Sequence, residues 1–166
     1  MSLDNIQLTP ILWQNLYKHA LIQEKKIQAS DPIANANTIP FLGNNKKMIT
    51  LLVHDEEAIY LSDASLKFLL GILSACKLSM DDIALVNLSK NNGITHDLIH
   101  AQLQSEKILM FDVEPSELLL PLQFPRYQIQ GFNNQTYLSA PALTTLEQDK
   151  AEKLKLWNCL KQLFGI

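Results

Sequence analysis

The chain predicts an α/β fold, a three-layer α/β/α sandwich around a mainly parallel central sheet, and three observations carry that reading. Met48–Val53, Ile83–Leu88 and Lys107–Asp112 are short apolar runs with the length and β-branched content of buried strands. Segments of helical period separate them, and strand, helix, strand, helix, strand implies parallel pairing through right-handed crossovers. The 166 residues, 47% apolar and 19% charged, suit one globular domain with a sizeable core.

The elements follow in order. Thr9-Pro10 opens a first helix, because Thr can cap free amides and Pro fits the first helical turn. Ile11, Leu12, Leu16, Tyr17 and Ala20 continue it at helical spacing. From Gln28 to Lys47 the pattern gives way to Asn, Ser, Pro and Gly, with a short extended piece at Thr38–Leu42. A loop that long is uncommon inside a compact domain. The expected partition is therefore an N-terminal helix at 1–27, a loop or tether at 28–46, and an α/β domain at 47–166.

Within that domain Ser62 and Asp63 are placed to cap a helix whose apolar face carries Leu66, Leu69, Leu70, Leu73 and Cys76. Thr95 is placed to cap a second helix, running to about Leu103. Tyr127–Phe132 and Gln135–Leu138 form a candidate hairpin around Asn133-Asn134. Pro141 and Thr144 set the geometry and capping of a turn. A closing helix runs from about Lys150 to Phe164, ends near Gly165, and carries Leu154, Leu156, Trp157, Leu160, Leu163 and Phe164 as a stripe for the core.

Composition narrows the function. The formal net charge of −3 and the absence of a basic run argue against strong direct binding to nucleic acid, which needs concentrated Lys and Arg. No apolar run approaches the roughly 18 residues of a membrane span, and the N-terminus shows no basic-then-apolar secretory pattern. A cytoplasmic protein is expected. Cys76 and Cys159 stand alone, outside any C-x-x-C or His-paired spacing, and read as small core residues.

Candidate chemistry is sparse. His54-Asp55-Glu56-Glu57 follows the first strand and Asp112-Val113-Glu114 the third, at the carboxyl ends where α/β sheets gather their sites. Such clusters can hold a divalent cation or do acid–base work, but they also occur wherever a strand meets solvent, and the solvated loop is the preferred reading. His96-Asp97-Leu98-Ile99-His100 sets two imidazoles one helical turn apart, as in a zinc-binding helix. Asp stands where a metalloprotease carries Glu, and no third ligand stands out, so a solvated helix face is preferred. Gly43, Gly71 and Gly93 form no phosphate-cradling loop, and no G-x-S-x-G elbow exists. No catalytic residue, metal or cofactor is therefore assigned. Leu8, Ile11, Leu12, Trp13 and Tyr17 gather large anchors into one short segment. By residue pattern alone that helix packs on its own body, and the loop behind it keeps partner docking open.

The most specific pattern lies near the end of the chain. Ala140-Pro141-Ala142-Leu143-Thr144-Thr145-Leu146 followed by Leu156-Trp157 resembles the C-terminal signature of the psi subunit family of bacterial DNA polymerase III. A looser match spans Met48 to Leu88, including Leu78-Ser79-Met80-Asp81-Asp82. The resemblance covers somewhat over half of the chain, and Pro141, Leu143, Thr144, Leu146, Leu156 and Trp157 are its structural signature. It implies a three-layer fold shaped like that of uracil-DNA glycosylases, and a non-catalytic adaptor of the replication machinery. Such an adaptor bridges clamp-loader subunits to a chi subunit, which in turn contacts single-stranded DNA-binding protein. It implies that the N-terminal segment with Leu8, Ile11, Leu12, Trp13 and Tyr17 binds the clamp loader. The same shape raises an enzyme alternative, a base-excision glycosylase with Asp55 after the first strand. Such an enzyme also needs a late His-containing loop, and the last histidine here is His100. An interaction domain with another partner is the third reading.

Overall fold

A computed structural model of the chain describes residues 38–166. The expected N-terminal helix and the first part of its loop lie outside the described residues. Five strands, β1 (Ile49–Val53), β2 (Ile83–Asn87), β3 (Lys107–Phe111), β4 (Ile129–Phe132) and β5 (Gln135–Ala140), form one sheet in the order β2-β1-β3-β5-β4. All neighbours pair in parallel except β4, which joins β5 as an antiparallel edge. The turn between them is Asn133-Asn134, both at positive φ, the conformation a tight hairpin requires. The α-helices among the described residues are α1 (Asp63–Ala75), α2 (His96–Leu103), α3 (Leu143–Gln148) and α4 (Lys150–Phe164).

Alternation along the strands divides the core into two layers. Ile49, Leu51 and Val53 of β1, with Leu85, Leu109, Phe111 and Leu138, face α1, α3 and α4. Leu52, Val86, Ile108, Met110 and Tyr137 point the other way, toward α2 and the loop residues Leu118, Leu120 and Phe124. The chain steps from β1 to β2 on one side, then crosses back to β3 on the other. Crossovers of one hand then put α1 and α2 on opposite faces. The result is the expected α/β sandwich with a mainly parallel sheet.

The described end of the expected loop lies along this body. Leu42 exchanges both backbone hydrogen bonds with Leu85, at 2.9 and 2.8 Å, and so covers the outer edge of β2. Gly43 follows at φ +114°, and a Cβ there would stand 2.2 Å from the carbonyl oxygen of Ile83, so only glycine lets the chain run this close.

Helix ends depart from expectation at two places. Ser62 occupies the N-cap of α1 without a side-chain bond, and Asp55 from the preceding loop accepts the Ser62 amide instead. α3 starts after Ala142, which has no capping group, and Thr144 is exposed in its first turn rather than capping it. Thr95 caps α2 through Leu98 as expected, and Asp149 caps α4 through the amides of Ala151 and Glu152. Gly165 closes α4 in the left-handed conformation. Among the described residues no helix is long and apolar enough to cross a membrane.

Candidate functional site

The strand order makes β1 and β3 neighbours whose following loops leave in opposite directions, which opens a crevice at their carboxyl ends. A cleft of about 390 Å³ lies there, lined by His54, Asp55, Glu56 and Glu57 after β1, Asp112 after β3, Ser62 and Ser65 of the α1 start, and Ala142–Thr144 before and within α3. Both acidic clusters of the sequence thus reach one site. Glu114 does not line it and stands at the start of a short 3-10 turn, Pro115–Leu118.

Most of the polar groups in this wall already have partners. One oxygen of Asp55 accepts the amides of Glu57 and Ala58, each at 3.0 Å, and the other accepts the Ser62 amide at 2.7 Å. Burial works to raise the Asp55 pKa, but these backbone amides outweigh it and hold the carboxyl below its ordinary value. Asn87, fully buried at the end of β2, anchors the same loop from beneath. Its amide donates to the carbonyls of Asp55 (2.7 Å) and Ala58 (3.0 Å), while its oxygen accepts the amides of Asp55 and Ser89, both at 3.1 Å. His54 lies between Ser89 Oγ (3.1 Å) and Glu117 (2.9 Å), and Asp112 pairs with Arg126 at 3.3 Å. Glu56 and Glu57 are left exposed at the rim without a salt bridge among the described residues. Asp55 therefore acts as the organiser of its loop, three backbone amides being held by its two carboxylate oxygens.

The paired histidines diverge. His100 is exposed, but His96 is buried, a correction to the expected solvated face. His96 Nε2 lies 3.0 Å from Gln135 Oε1, which also accepts the Tyr137 hydroxyl at 2.9 Å, while Gln135 Nε2 donates to the Ser105 carbonyl at 2.7 Å. Since Oε1 has no proton, Nε2 carries the hydrogen. The Tyr137 pKa is pushed up by burial. This imidazole completes a core network. Among the described residues no group of three or more His, Cys, Asp or Glu is arranged to hold a metal ion. Asn87 and Gln135 were not singled out in the sequence. Their signal was a polar residue inside or beside an apolar strand run, which obliges the fold to supply a full set of partners.

Of the residues that carry the resemblance, Leu143, Leu146, Leu156 and Trp157 pack into one apolar layer, whereas Thr144 is exposed. Leu143, Leu146 and Leu156 are buried in the same layer as β1 and α1, Pro141 is buried, and Trp157 packs half-buried at its margin. Leu70 and Leu154, expected on core faces, are instead 42% and 59% exposed, because each sits at the edge of its helix's apolar stripe where none of the described residues covers it. Between α1 and α4 this leaves an apolar groove of about 430 Å³ lined by Phe68, Gly71, Ile72, Ala75, Leu154 and Trp157, with Lys150 and Lys153 beside them. Cys76 is buried and Cys159 half-buried, donating to the Tyr127 carbonyl at 3.1 Å, and burial raises the pKa of both thiols. Leu8, Ile11, Leu12, Trp13 and Tyr17 lie outside the described residues.

No protein-family model matches the chain, and no curated protein matches it.

Proposed function

We propose that the chain is a non-catalytic adaptor of the bacterial replication machinery, similar to the psi subunit of DNA polymerase III and sharing the shape of uracil-DNA glycosylases. In this reading its N-terminal segment, with Leu8, Ile11, Leu12, Trp13 and Tyr17, docks on clamp-loader subunits. The body engages a chi-like partner that contacts single-stranded DNA-binding protein. The observation that carries the reading is the joint packing of Leu143 and Leu146 with Leu156 and Trp157, from the two halves of the signature, in one apolar layer. A spacing that matters to the resemblance thus has a physical reason to be kept. The engagement of Asp55 by three backbone amides supports the reading from the other side.

The test is calorimetric binding of the full chain to the clamp-loader complex of its own organism. Trp13→Ala is expected to weaken it by about 2 kcal/mol or more, as a central aromatic anchor does, with the circular dichroism spectrum unchanged. Undiminished affinity would remove the docking role from Trp13. The acidic cleft at the strand ends favours a second reading, a glycosylase-like repair enzyme. Release of uracil from DNA by the wild type, lost in Asp55→Asn, would establish it.

A further inference from the structure

The groove between α1 and α4 is an apolar concavity of about 430 Å³ that no described residue fills. Three features distinguish it from incidental exposure. Gly71 lies in the interior of α1, where glycine is among the poorest helix formers. Among the described residues a Cβ built there meets nothing within 4 Å, and its φ is ordinary, so neither their packing nor backbone geometry calls for glycine. With Ala75 one turn later, it leaves a depression flanked by Phe68 and Ile72 on α1 and by Leu154 and Trp157 on α4. Small residues one turn apart let the backbone of a second helix come close, and large apolar neighbours then grip its side chains.

Charge selects the occupant. The ionic residues lining the groove are Lys150 and Lys153, with no carboxylate among the lining residues, in a chain whose formal net charge is −3. Lys153 Nζ stands 5.0 Å from the centroid of the Phe68 ring, directly beside the apolar floor. Lys150 makes no salt bridge among the described residues. A partner that covers the floor also desolvates these ammonium groups, which strengthens their attraction to carboxylates and penalises a basic partner.

We propose that this groove docks an acidic amphipathic helix of a partner protein, its apolar stripe seated between Phe68, Ile72, Leu154 and Trp157 and its flanking carboxylates facing Lys150 and Lys153. This is a second docking face, separate from the N-terminal segment. It shares with the adaptor reading only the premise that the chain binds other proteins, and its test uses no replication component.

The experiment titrates the full chain into a fluorescein-labelled designed helical peptide carrying leucines at i, i+4, i+7 and i+11 with glutamates on both flanks. A sibling peptide with lysine flanks serves as comparison. The glutamate peptide is expected to bind about tenfold more tightly than its sibling, the sum of two modest ion pairs gained and two repulsions avoided. Gly71→Leu fills the depression and is expected to weaken that binding about tenfold or more without lowering the melting temperature. Lys150→Glu combined with Lys153→Glu is expected to reverse the preference between the peptides. Equal affinity for both peptides, or binding that Gly71→Leu leaves intact, would overturn the proposal. So would sedimentation showing that the chain alone forms a dimer which Gly71→Leu abolishes while neither peptide binds, since a second copy would then be the occupant. Loss of clamp-loader binding in Trp13→Ala is independent of every one of these outcomes.

Discussion

The cleft at the strand ends and the groove between α1 and α4 are close in volume, about 390 and 430 Å³, yet their walls are finished in opposite ways. In the cleft, Asp55, His54 and Asp112 are bonded to neighbouring groups of the chain, and Asn87 holds the Asp55 loop from beneath. In the groove, Leu154 is 59% exposed and Gly71 has open space where a side chain would go. The interior polar groups of the cleft bond to the chain itself, and Glu56 and Glu57 at its rim are left to meet a ligand. An apolar concavity gains free energy only when something covers it. Position at the carboxyl ends of a parallel sheet thus has to be weighed together with the state of the groups that occupy it.

Substitutions can break or sharpen that contrast. The largest effect is expected from Asn87→Ala, which strips the partners from partly buried backbone groups of the 55–59 loop and removes a fully buried amide. Chemical denaturation should show a loss of about 3 kcal/mol, within the range for removing a buried hydrogen-bonding hub. A loss below roughly 1 kcal/mol would mean that the loop is held some other way. Asp55→Ala should cost about 2 kcal/mol, since a carboxylate accepting several amides contributes more than a neutral bond.

The same residue makes a pH prediction. The folded state holds the Asp55 carboxyl below its unfolded value, so its contribution is complete above the unfolded pKa and is lost as pH falls through the folded one. The stability difference between wild type and Asp55→Asn should therefore be constant near neutrality and shrink below about pH 4. A difference that persists unchanged into strong acid would show that the carboxylate charge is not what organises the loop. The smallest effect has the opposite sign. Gly71→Ala should raise stability by about 0.5–1 kcal/mol in thermal unfolding, because the new methyl meets nothing and the unfolded chain loses freedom. Destabilisation would reveal a need for glycine inside the fold and weaken the view that the groove floor is shaped for an outside partner.

Much of the architecture was legible in the residues. The three apolar runs became β1, β2 and β3 with ends shifted by no more than a residue, and the closing helix spans Lys150–Phe164 before Gly165. These signals are local: strand runs, helical period and a left-handed glycine act over a few residues. The cleft was half legible, because acidic residues after β1 and β3 mark the crevice once parallel order is known. That Asp55 is engaged by amides was not, since nothing in its spacing says which backbone groups will turn toward it. His96 and His100 show the same limit, with identical chemistry at helical spacing and one ring in the core, the other in water.

By itself, then, the sequence determined the order and kind of the elements, the alternation that gives the sheet two apolar faces, and the caps at Thr95 and Gly165. It also held Leu143, Leu146 and Leu156, which share one layer. Tertiary structure alone decided which edge of each apolar stripe stays uncovered, so that Leu70 and Leu154 meet solvent while Leu73 and Leu156 do not. It decided as well that the Asp55 carboxylate organises a loop. The physical reason is common to both: periodicity fixes a direction around a helix or strand axis, whereas burial and hydrogen-bond partnership depend on what other elements bring to that direction.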